Sequence, residues 1–535
     1  MTASARPRSI GDLLRRAAAD RPGATAIVEG SSRISWSDLE ARVDRLAATL
    51  GAEGLVEGDR IALQAPASID FVSVYLAALQ AGLVVVPVNP GYTAAELDHI
   101  LSDSGARFLV TGSVTTVADA SRLRSTHPAL TAIAVAARSG AADAPTVTDL
   151  VRRSSSGGVH LDRTGEDLAV LLYTSGTSGR PKGAMLTVRA LLANLAQFGS
   201  LQPAPVSSRD VVYLPLPLFH VFGLNAGLGM ALYFGATVVL SPKFDAAAAL
   251  EAIVTERATV VVGAPLEFAV WANTDGFAQA FDGVRLALSG SAPLPPELVS
   301  EYARIGIALF EGYGLTEAAP VIALNLVPAA ERASGWIEPK PGSIGRPLPG
   351  VEVRLLDSDG EIVEAGDLGT LEVRGDNLFS GYWPDAADGP RSSGRADEDG
   401  WFTTGDLAVA DDDGDLYLVG RRSDLILVNG FNVYPAEVEA VLSKLPGVGE
   451  VAVLGEPDAN NSEAVIAYVV AATGATLDPD VLVEQASRSL ARFKLPKRII
   501  EVVALPHTAT GKVMKWRLRP DRQREIDQAA GSSQG

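Results

Sequence analysis

The densest concentration of reactive side chains is Tyr173-Thr-Ser-Gly-Thr-Ser-Gly-Arg-Pro-Lys-Gly183, directly after the apolar run 168–172. The hydroxyls of Thr174, Ser175, Thr177 and Ser178 alternate with Gly176 and Gly179, and Lys182 adds a point charge. Hydroxyls and glycine N–H groups on such a turn make a cradle for phosphate oxygens. A Gly/Ser stretch is more often a plain surface loop, but this order behind a buried strand reverses that preference. The P-loop of kinases and GTPases, Gly-x-x-x-x-Gly-Lys-Ser/Thr, is a different pattern, and the chain lacks it. Here the lysine follows Gly-Arg-Pro, which disfavours a Walker-type NTPase. With no cysteine, thiolate nucleophiles, disulfides, zinc ribbons and iron–sulfur ligation are excluded. The five histidines, at 99, 127, 160, 220 and 507, are too scattered to read as a metal site.

The elements that must hold this loop are legible around it. Residues 60–65 are a short apolar run, and 69–81 follow with helical spacing of Phe71, Val74, Tyr75 and Ala78. Gly82 stops that helix, and 83–88 is a valine-rich strand ended by Asn89-Pro90. Thr93-Ala-Ala-Glu96 has capping-box spacing and opens a helix that turns Leu97, Ile100 and Leu101 inward. Residues 107–111 and 131–136 read as further strands, and the alternation returns between 211 and 310. Near-continuous apolar strands alternating with helices point to parallel sheets covered by helices.

The 535 residues, 47% of them hydrophobic, provide for roughly three or four folding units. The 64 acidic against 45 basic groups give a formal net charge of -19. That balance argues against nucleic acid, whose binding rests on neutralised phosphates, and no basic stripe would hold an anionic membrane. No apolar run is long enough to span a bilayer, and the basic N-terminus carries no apolar core or cleavage pattern. A soluble, cytoplasmic enzyme is expected. From about 343 to 420, short strands separated by Gly, Asp and Pro turns read as an antiparallel meander or barrel. After Arg421 comes a small α+β unit, with strands at 425–428, 451–454 and 464–470 and a helix at 435–445 that has Pro435 in its first turn.

Five further segments follow the 173–183 loop in order: Phe219-His-Val-Phe-Gly223, Gly312-Tyr-Gly-Leu-Thr-Glu317, Thr404-Gly-Asp-Leu407, Gly420-Arg421 with Asn429-Gly-Phe431, and Thr510-Gly-Lys512. With them the chain resembles the adenylate-forming superfamily, which comprises acyl-CoA synthetases, firefly luciferases and peptide-synthetase adenylation domains. The resemblance runs from about residue 10 to 520 and is strongest to a fatty acyl-CoA ligase. One such segment could be chance; six in register are specific. The resemblance implies an α/β fold with a large N-terminal domain, residues 1–421, made of helix-covered sheets plus a small β-barrel-like part at 343–420. A small mobile α+β C-terminal domain, residues 422–535, would carry the catalytic lysine.

The implied reaction makes physical sense. A carboxylate is a poor acylating agent because oxide would have to leave, whereas attack on the α-phosphate of ATP makes AMP the leaving group. The enzyme must hold a polyphosphate, screen its charge and align the carboxylate. By the resemblance, Thr174 to Gly179 and Lys182 cradle phosphates, Thr316 contacts phosphate and Glu317 binds Mg²⁺. A hard cation on phosphates needs such a carboxylate. Gly290, Ser291 and Ala292 with Gly312, Tyr313 and Gly314 flank the adenine, where missing side chains allow close approach. Asp406 accepts the ribose hydroxyls, Arg421 makes a second ribose contact, and His220 gates the acyl pocket. Lys512 bridges carboxylate and α-phosphate during adenylation. A rotation of the small domain about a hinge near Ser423 then moves Lys512 away, and the CoA thiol enters past Gly430. The family usually has Asp or Lys at that hinge.

Peptide-synthetase adenylation domains hold the substrate ammonium with an Asp shortly after the position of His220. Residues 219–234 contain no acidic residue, and a buried unpaired ammonium would be costly, so amino acids are not expected. Gly223, Ala226, Gly227, Gly229, Gly263 and Gly290 are expected to leave room for a long apolar tail, which favours medium- or long-chain fatty acids. An aryl or short-chain CoA ligase, and an acyl-AMP ligase that loads a carrier protein, stay open as alternatives. So does a homodimer. A non-catalytic nucleotide-binding relative would be expected to lose Lys512 or Glu317, and both are present.

Overall fold

The apolar runs become strands and the segments between them helices, with bounds close to those expected. The helix expected at 69–81 spans Ile69–Gln80 and is buried on nearly every face, as its composition requires. The expected capping box opens the Ala94–Ser104 helix: Thr93 Oγ1 accepts from the Glu96 N–H, and the Glu96 carboxylate accepts from the Thr93 N–H. Gly105 ends that helix at φ 59°, in the left-handed region where a glycine costs least. Arg60 then donates to the carbonyls of Ser104 at 2.7 Å and Gly105 at 3.1 Å, satisfying oxygens the helix itself cannot.

The computed structural model describes residues 7–112, 120–136, 144–154, 160–161, 163–174, 181–326, 339–383, 396–428, 431–458, 463–508 and 511–518. The chain divides into two compact units, residues 1–352 with 373–402 and residues 353–372 with 403–535. Strands are numbered in chain order. In the first unit a six-stranded sheet runs β6 (Ala132–Val135), β5 (Phe108–Thr111), β3 (Arg60–Gln64), β4 (Val84–Pro87), β7 (Leu168–Thr174) and β8 (Lys182–Thr187). All its pairs are parallel except β7–β8. A nine-stranded sheet runs β15 (Arg346–Pro347), β14 (Val321–Leu324), β13 (Leu309–Gly314), β12 (Leu286–Ser289), β11 (Val260–Gly263), β9 (Val211–Leu214), β10 (Thr237–Leu240), β1 (Thr25–Glu29) and β2 (Ser32–Ser35). From β13 to β1 it is parallel throughout.

Both sheets are covered by helices, so their strands are buried on two faces and read as apolar runs. One face of the larger sheet packs on an aromatic cluster of Phe268, Trp271, Phe277, Phe281 and Tyr302, joined mostly edge to face. In open parallel sheets, ligands bind beyond the carboxyl ends of the strands. Thr174 at the end of β7, the run from Leu214 to His220, and segments 290–292 and 312–317 all lie at or beyond such ends.

The second unit contains most of a four-stranded sheet, β16 (Val351–Leu356), β17 (Leu368–Gly375), β18 (Phe402–Ala410) and β19 (Leu416–Arg421). A hairpin follows, β20 (Ile426–Val428) with β21 (Phe431–Val433), and then a sheet of β22 (Val448–Pro457), β23 (Glu463–Ala471) and β24 (Arg498–Glu501). The Pro435–Leu442 helix buries Val438 and Leu442 against β22 and β23 in the core of this unit. Among the described residues no helix is long and apolar enough to cross a membrane.

Candidate active site

In the first unit the strand β13 runs into a tight turn whose shape its sequence enforces. A β-carbon at Gly314 would lie 1.9 Å from the carbonyl oxygen of Pro320, so only glycine fits there. The chain then makes a single 3₁₀ turn, Thr316–Ala318, and returns as β14. Three buried amide side chains from different elements hold that turn. Asn225 donates to the Ala319 carbonyl at 2.7 Å, Asn377 to Ala318 at 2.8 Å and Asn194 to Val321 at 2.7 Å. The Phe379 N–H adds a bond to the Glu317 carbonyl at 2.9 Å. Each such bond contributes on the order of 1 kcal/mol net, and losing one partner would leave a buried group unsatisfied at greater cost. Thr316 and Glu317 are therefore presented on a rigid loop.

The Glu317 carboxylate is half-buried, and Oε1 accepts the Tyr382 hydroxyl at 2.5 Å. Lys182 lies over the Tyr382 ring, its Nζ 5.7 Å from the centroid, a cation–π distance. Tyr382 stands beside these residues because Gly381 and Trp383 bond to Met185 and Gly183 of β8. Lys182 itself faces Thr174 across the β7–β8 register. A lysine, a tyrosine and a carboxylate thus form one cluster where the loop from β7 re-enters the sheet. The Glu317 carboxyl is an oxygen ligand of the kind Mg²⁺ takes, so the residues present fit that ion.

The nucleotide-segment residues lie at the ends of adjacent strands. Gly290 follows β12, and a β-carbon on it would lie 3.0 Å from the Phe222 ring and 3.4 Å from the Gly312 carbonyl oxygen. Ser291 adopts φ 75°, a left-handed conformation unusual for a residue with a β-carbon. Such local strain persists where surrounding structure over-determines it, often at functional sites. Tyr313 is buried.

His220 precedes Phe222–Gly229, which forms a π-helix, a rare form that is frequent at functional sites. Burial lowers the imidazole to about 4, so His220 is neutral at neutral pH. Its Nε2 is buried and has no hydrogen-bond partner among the described residues. The expectation that the glycines here open a pocket is corrected by their packing. A β-carbon at Gly223 would sit 2.4 Å from the Pro217 carbonyl oxygen, at Gly227 2.5 Å from Leu214, and at Gly229 2.6 Å from Asn225. Gly263 is closed by Glu267 at 2.9 Å. These glycines let the wide π-helix approach β9 and its own neighbours; they are contact points, not free space. Within the π-helix only Phe222 and Ala226 escape full burial.

On the face of the larger sheet that carries the aromatic cluster lies a polar row that no motif announces. Gly263 and Ser289 end β11 and β12, and in register with them lies Glu311, within β13. Glu267 reaches back over Gly263, capping Ala264 N–H at 2.6 Å, and Glu311 accepts the Leu294 N–H at 3.1 Å. Burial raises both carboxyls to about 7 against the pull of those N–H groups. Ser289 Oγ, between Gly263 and Glu311 in the register, is buried without a hydrogen-bond partner among the described residues.

The second unit gathers the other expected residues. Asp406 and Arg421 are cross-strand partners in β18 and β19, with Arg421 Nε 3.0 Å from the buried Asp406 carboxylate. The Thr508 N–H donates to the Lys512 carbonyl at 2.8 Å and the Lys512 N–H to Thr508 Oγ1 at 3.1 Å, and Gly511 beside Lys512 adopts φ 81°, which explains the glycine of the Thr-Gly-Lys segment. Lys512 is exposed, yet local crowding and then the Arg421 guanidinium hold its ammonium below the ordinary lysine value, against Asp406 and Asp424. Asp406, Arg421 and Lys512 are thus electrostatic neighbours within this unit. Ser175, Gly176, Thr177, Ser178, Gly179 and Gly430 lie outside the described residues. Reading the sequence missed Tyr382 and the three asparagines; a lone Asn225 in an otherwise apolar run was the available signal.

The chain matches known proteins over most of its length. A family profile described as AMP-binding enzyme matches residues 14–383, and one described as AMP-binding enzyme C-terminal domain matches 437–512. The chain is 37% identical over 521 residues to a feruloyl-CoA synthase of an Amycolatopsis species, covering 96% of this chain and 99% of that one. It is 35% identical over 523 residues to the long-chain-fatty-acid–CoA ligase FadD13 of Mycobacterium tuberculosis, covering 96% and 98%. The crystal structure of ATP-bound MatB from Rhodopseudomonas palustris superposes with a TM-score of 0.86 at 34% identity, covering 95% of this chain and 98% of that one.

Proposed function

Because the chain belongs to the AMP-binding enzyme family, we propose that it is an ATP-dependent acid–thiol ligase that converts a carboxylic acid to its CoA thioester. In the first half-reaction a carboxylate oxygen attacks the α-phosphorus of ATP, and pyrophosphate leaves with the bonding pair. In the second the CoA thiol attacks the acyl carbon and AMP leaves. The observation that carries the reading is the Lys182–Tyr382–Glu317 cluster at the carboxyl edge of the parallel strands.

Each group has a task. Lys182 and Thr316 neutralise and orient phosphate oxygens, and Tyr382 fixes the Glu317 carboxylate in one rotamer. Mg²⁺ bound at Glu317 would screen the phosphate charge. Asp406 and Arg421 take the ribose, and Lys512 offsets the charge that builds on the α-phosphate as the bond forms. His220, neutral and partly open, closes the acyl side without placing a charge against an apolar acid.

The acid is read as a medium- or long-chain fatty acid, on the acid-free segment 219–234. An aryl acid is the second reading, and the closed glycines at 223, 227 and 229 favour it, since they remove the space a long tail would need. The test is pyrophosphate release and CoA-thioester formation over a panel of fatty, aryl and amino acids, with Glu317→Ala as control. Activity with fatty or aryl acids that vanishes in Glu317→Ala supports the reading. No acid-dependent pyrophosphate release from any acid refutes it.

A further inference from the structure

Two polar side chains on the Ala94–Ser104 helix have no part in the steps above. His99 and Asp103 are four residues apart, so they lie one above the other on a single helix face. That face meets both stems of the phosphate segment. The Tyr173 hydroxyl donates to Asp103 Oδ2 at 2.6 Å. His99 Nε2 is 3.2 Å from the Pro181 carbonyl oxygen, which can only accept, so Nε2 carries the proton. The His99 ring also meets the Tyr173 ring edge to face, with centroids 6.4 Å apart.

Tyr173 and Pro181 directly precede Thr174 and Lys182, the cross-strand pair where β7 and β8 meet. The same helix end holds a third strand of backbone: Trp383 Nε1 donates to the Asp103 carbonyl at 3.0 Å, and the Trp383 N–H donates to the Gly183 carbonyl at 2.6 Å. Trp383 follows Tyr382, whose hydroxyl holds Glu317. Burial, and next the Asp103 carboxylate, push the Tyr173 phenol far above its ordinary range, so it stays a donor. Stability alone does not require this arrangement. Leu97, Ile100 and Leu101 already bury the helix against the sheet and Asp98 ties it to His127, while the His99 side chain and the Asp103 side chain and carbonyl bond to the stems and to Trp383.

We propose that His99 and Asp103 are positioning residues for adenylation: from one helix face they fix Thr174 and Lys182 opposite the Tyr382–Glu317 pair, where the polyphosphate of ATP is held. This rests on the phosphate-binding reading of Lys182 and Glu317. The consequence is selective. A step that handles the polyphosphate should suffer, and a step that starts from the acyl-adenylate should not.

The experiment uses the full chain with Asp103→Ala, His99→Leu and the conservative His99→Gln, which keeps an N–H donor for Pro181. Thermal midpoints and circular dichroism confirm folding. Loss of one half-buried bond is expected to raise KM for ATP on the order of tenfold in Asp103→Ala and His99→Leu. KM for the acid, and thioester formation from supplied acyl-adenylate, should hold within about twofold. His99→Gln should restore most of the ATP affinity. An Asp103→Ala/Tyr173→Phe double variant should be no worse than the worse single. Unchanged KM for ATP, or an equal loss in both half-reactions, overturns the proposal. Calorimetric titration with ATP separates it from the functional reading. Weakened ATP binding in the variants of a protein that ligates no acid would retain the positioning role and remove the ligase.

Discussion

Replacing Glu311 by glutamine should change how stability depends on pH, in a direction and amount that the polar row behind β12 dictates. Burial raises the Glu311 carboxyl from its ordinary 4.5 to about 7. In the unfolded chain the group ionises near 4.5. Below that pH it is protonated in both states, and its favourable contribution is fully present. Between about 4.5 and about 7 the unfolded chain sheds the proton while the folded one keeps it, so stability drains away, and above about 7 the loss levels off. The gap of about 2.5 pH units at about 1.36 kcal/mol each amounts to roughly 3 kcal/mol. Glutamine cannot ionise, and its oxygen can still accept the Leu294 N–H that Glu311 accepts. Glu311→Gln should therefore gain on the order of 3 kcal/mol over the unsubstituted protein between about pH 4.5 and about pH 8. The assay is urea unfolding followed by tryptophan fluorescence, with variant and parent compared at each pH because a two-unit chain need not unfold in one step. Glu267, on the Pro265–Ala272 helix, is raised in the same way by burial, so Glu267→Gln should gain stability over the same pH range. Parallel pH curves for parent and Glu311→Gln would falsify the argument, because they would mean the carboxyl is hydrated in the folded state.

Gly314→Ala, which puts a β-carbon 1.9 Å from the Pro320 oxygen, should move the Thr316–Glu317 turn and cut pyrophosphate release at least tenfold or so; near-normal release would show that the turn yields freely. Lys512→Ala should lose adenylation severely yet still convert a supplied acyl-adenylate to the thioester, whereas Gly430→Leu should form adenylate and stall. Equal loss of both half-reactions in each would refute separate roles for the two segments. Ala226→Leu should shift preference toward smaller acids, because Ala226 is the small residue of the π-helix that is not packed shut. Gly227→Leu should instead destabilise the fold by driving into Leu214, and an unchanged melting temperature there would contradict the packing.

What the sequence made legible was mostly local. The Thr93–Glu96 capping box, the helix stop near Gly82, and the valine-rich strands depend on neighbours a few residues away, and they stand as expected. The glycine of the Thr-Gly-Lys segment is local too, since its positive φ closes a short hairpin. The misreading at 219–234 has a clear physical cause. A glycine reads the same whether it leaves room for a ligand or for another strand, and only the position of Leu214 and Pro217 decides between them. Asn225 was equally opaque because the carbonyl it serves, Ala319, is 94 residues away. Tyr382 escaped for the same reason, its partner Glu317 lying 65 residues back. The buried carboxyls Glu267 and Glu311 gave no sign, because side-chain register across β11, β12 and β13 is a tertiary fact.

The π-helix has a consequence for anyone breeding new substrate range into this protein. Phe222 and Ala226 face the partly open side, and Asn225, immediately before Ala226, grips the carbonyl of Ala319 beyond the Glu317 turn. Selection for a bulkier or slimmer acid will favour changes along this segment, and any change that rotates it will pull on the turn that presents Glu317. Improved fit for the acid and slower activation of ATP should then arrive together in the same mutants. A library restricted to substitutions that preserve Asn225 and the three closed glycines is the way to uncouple the two traits.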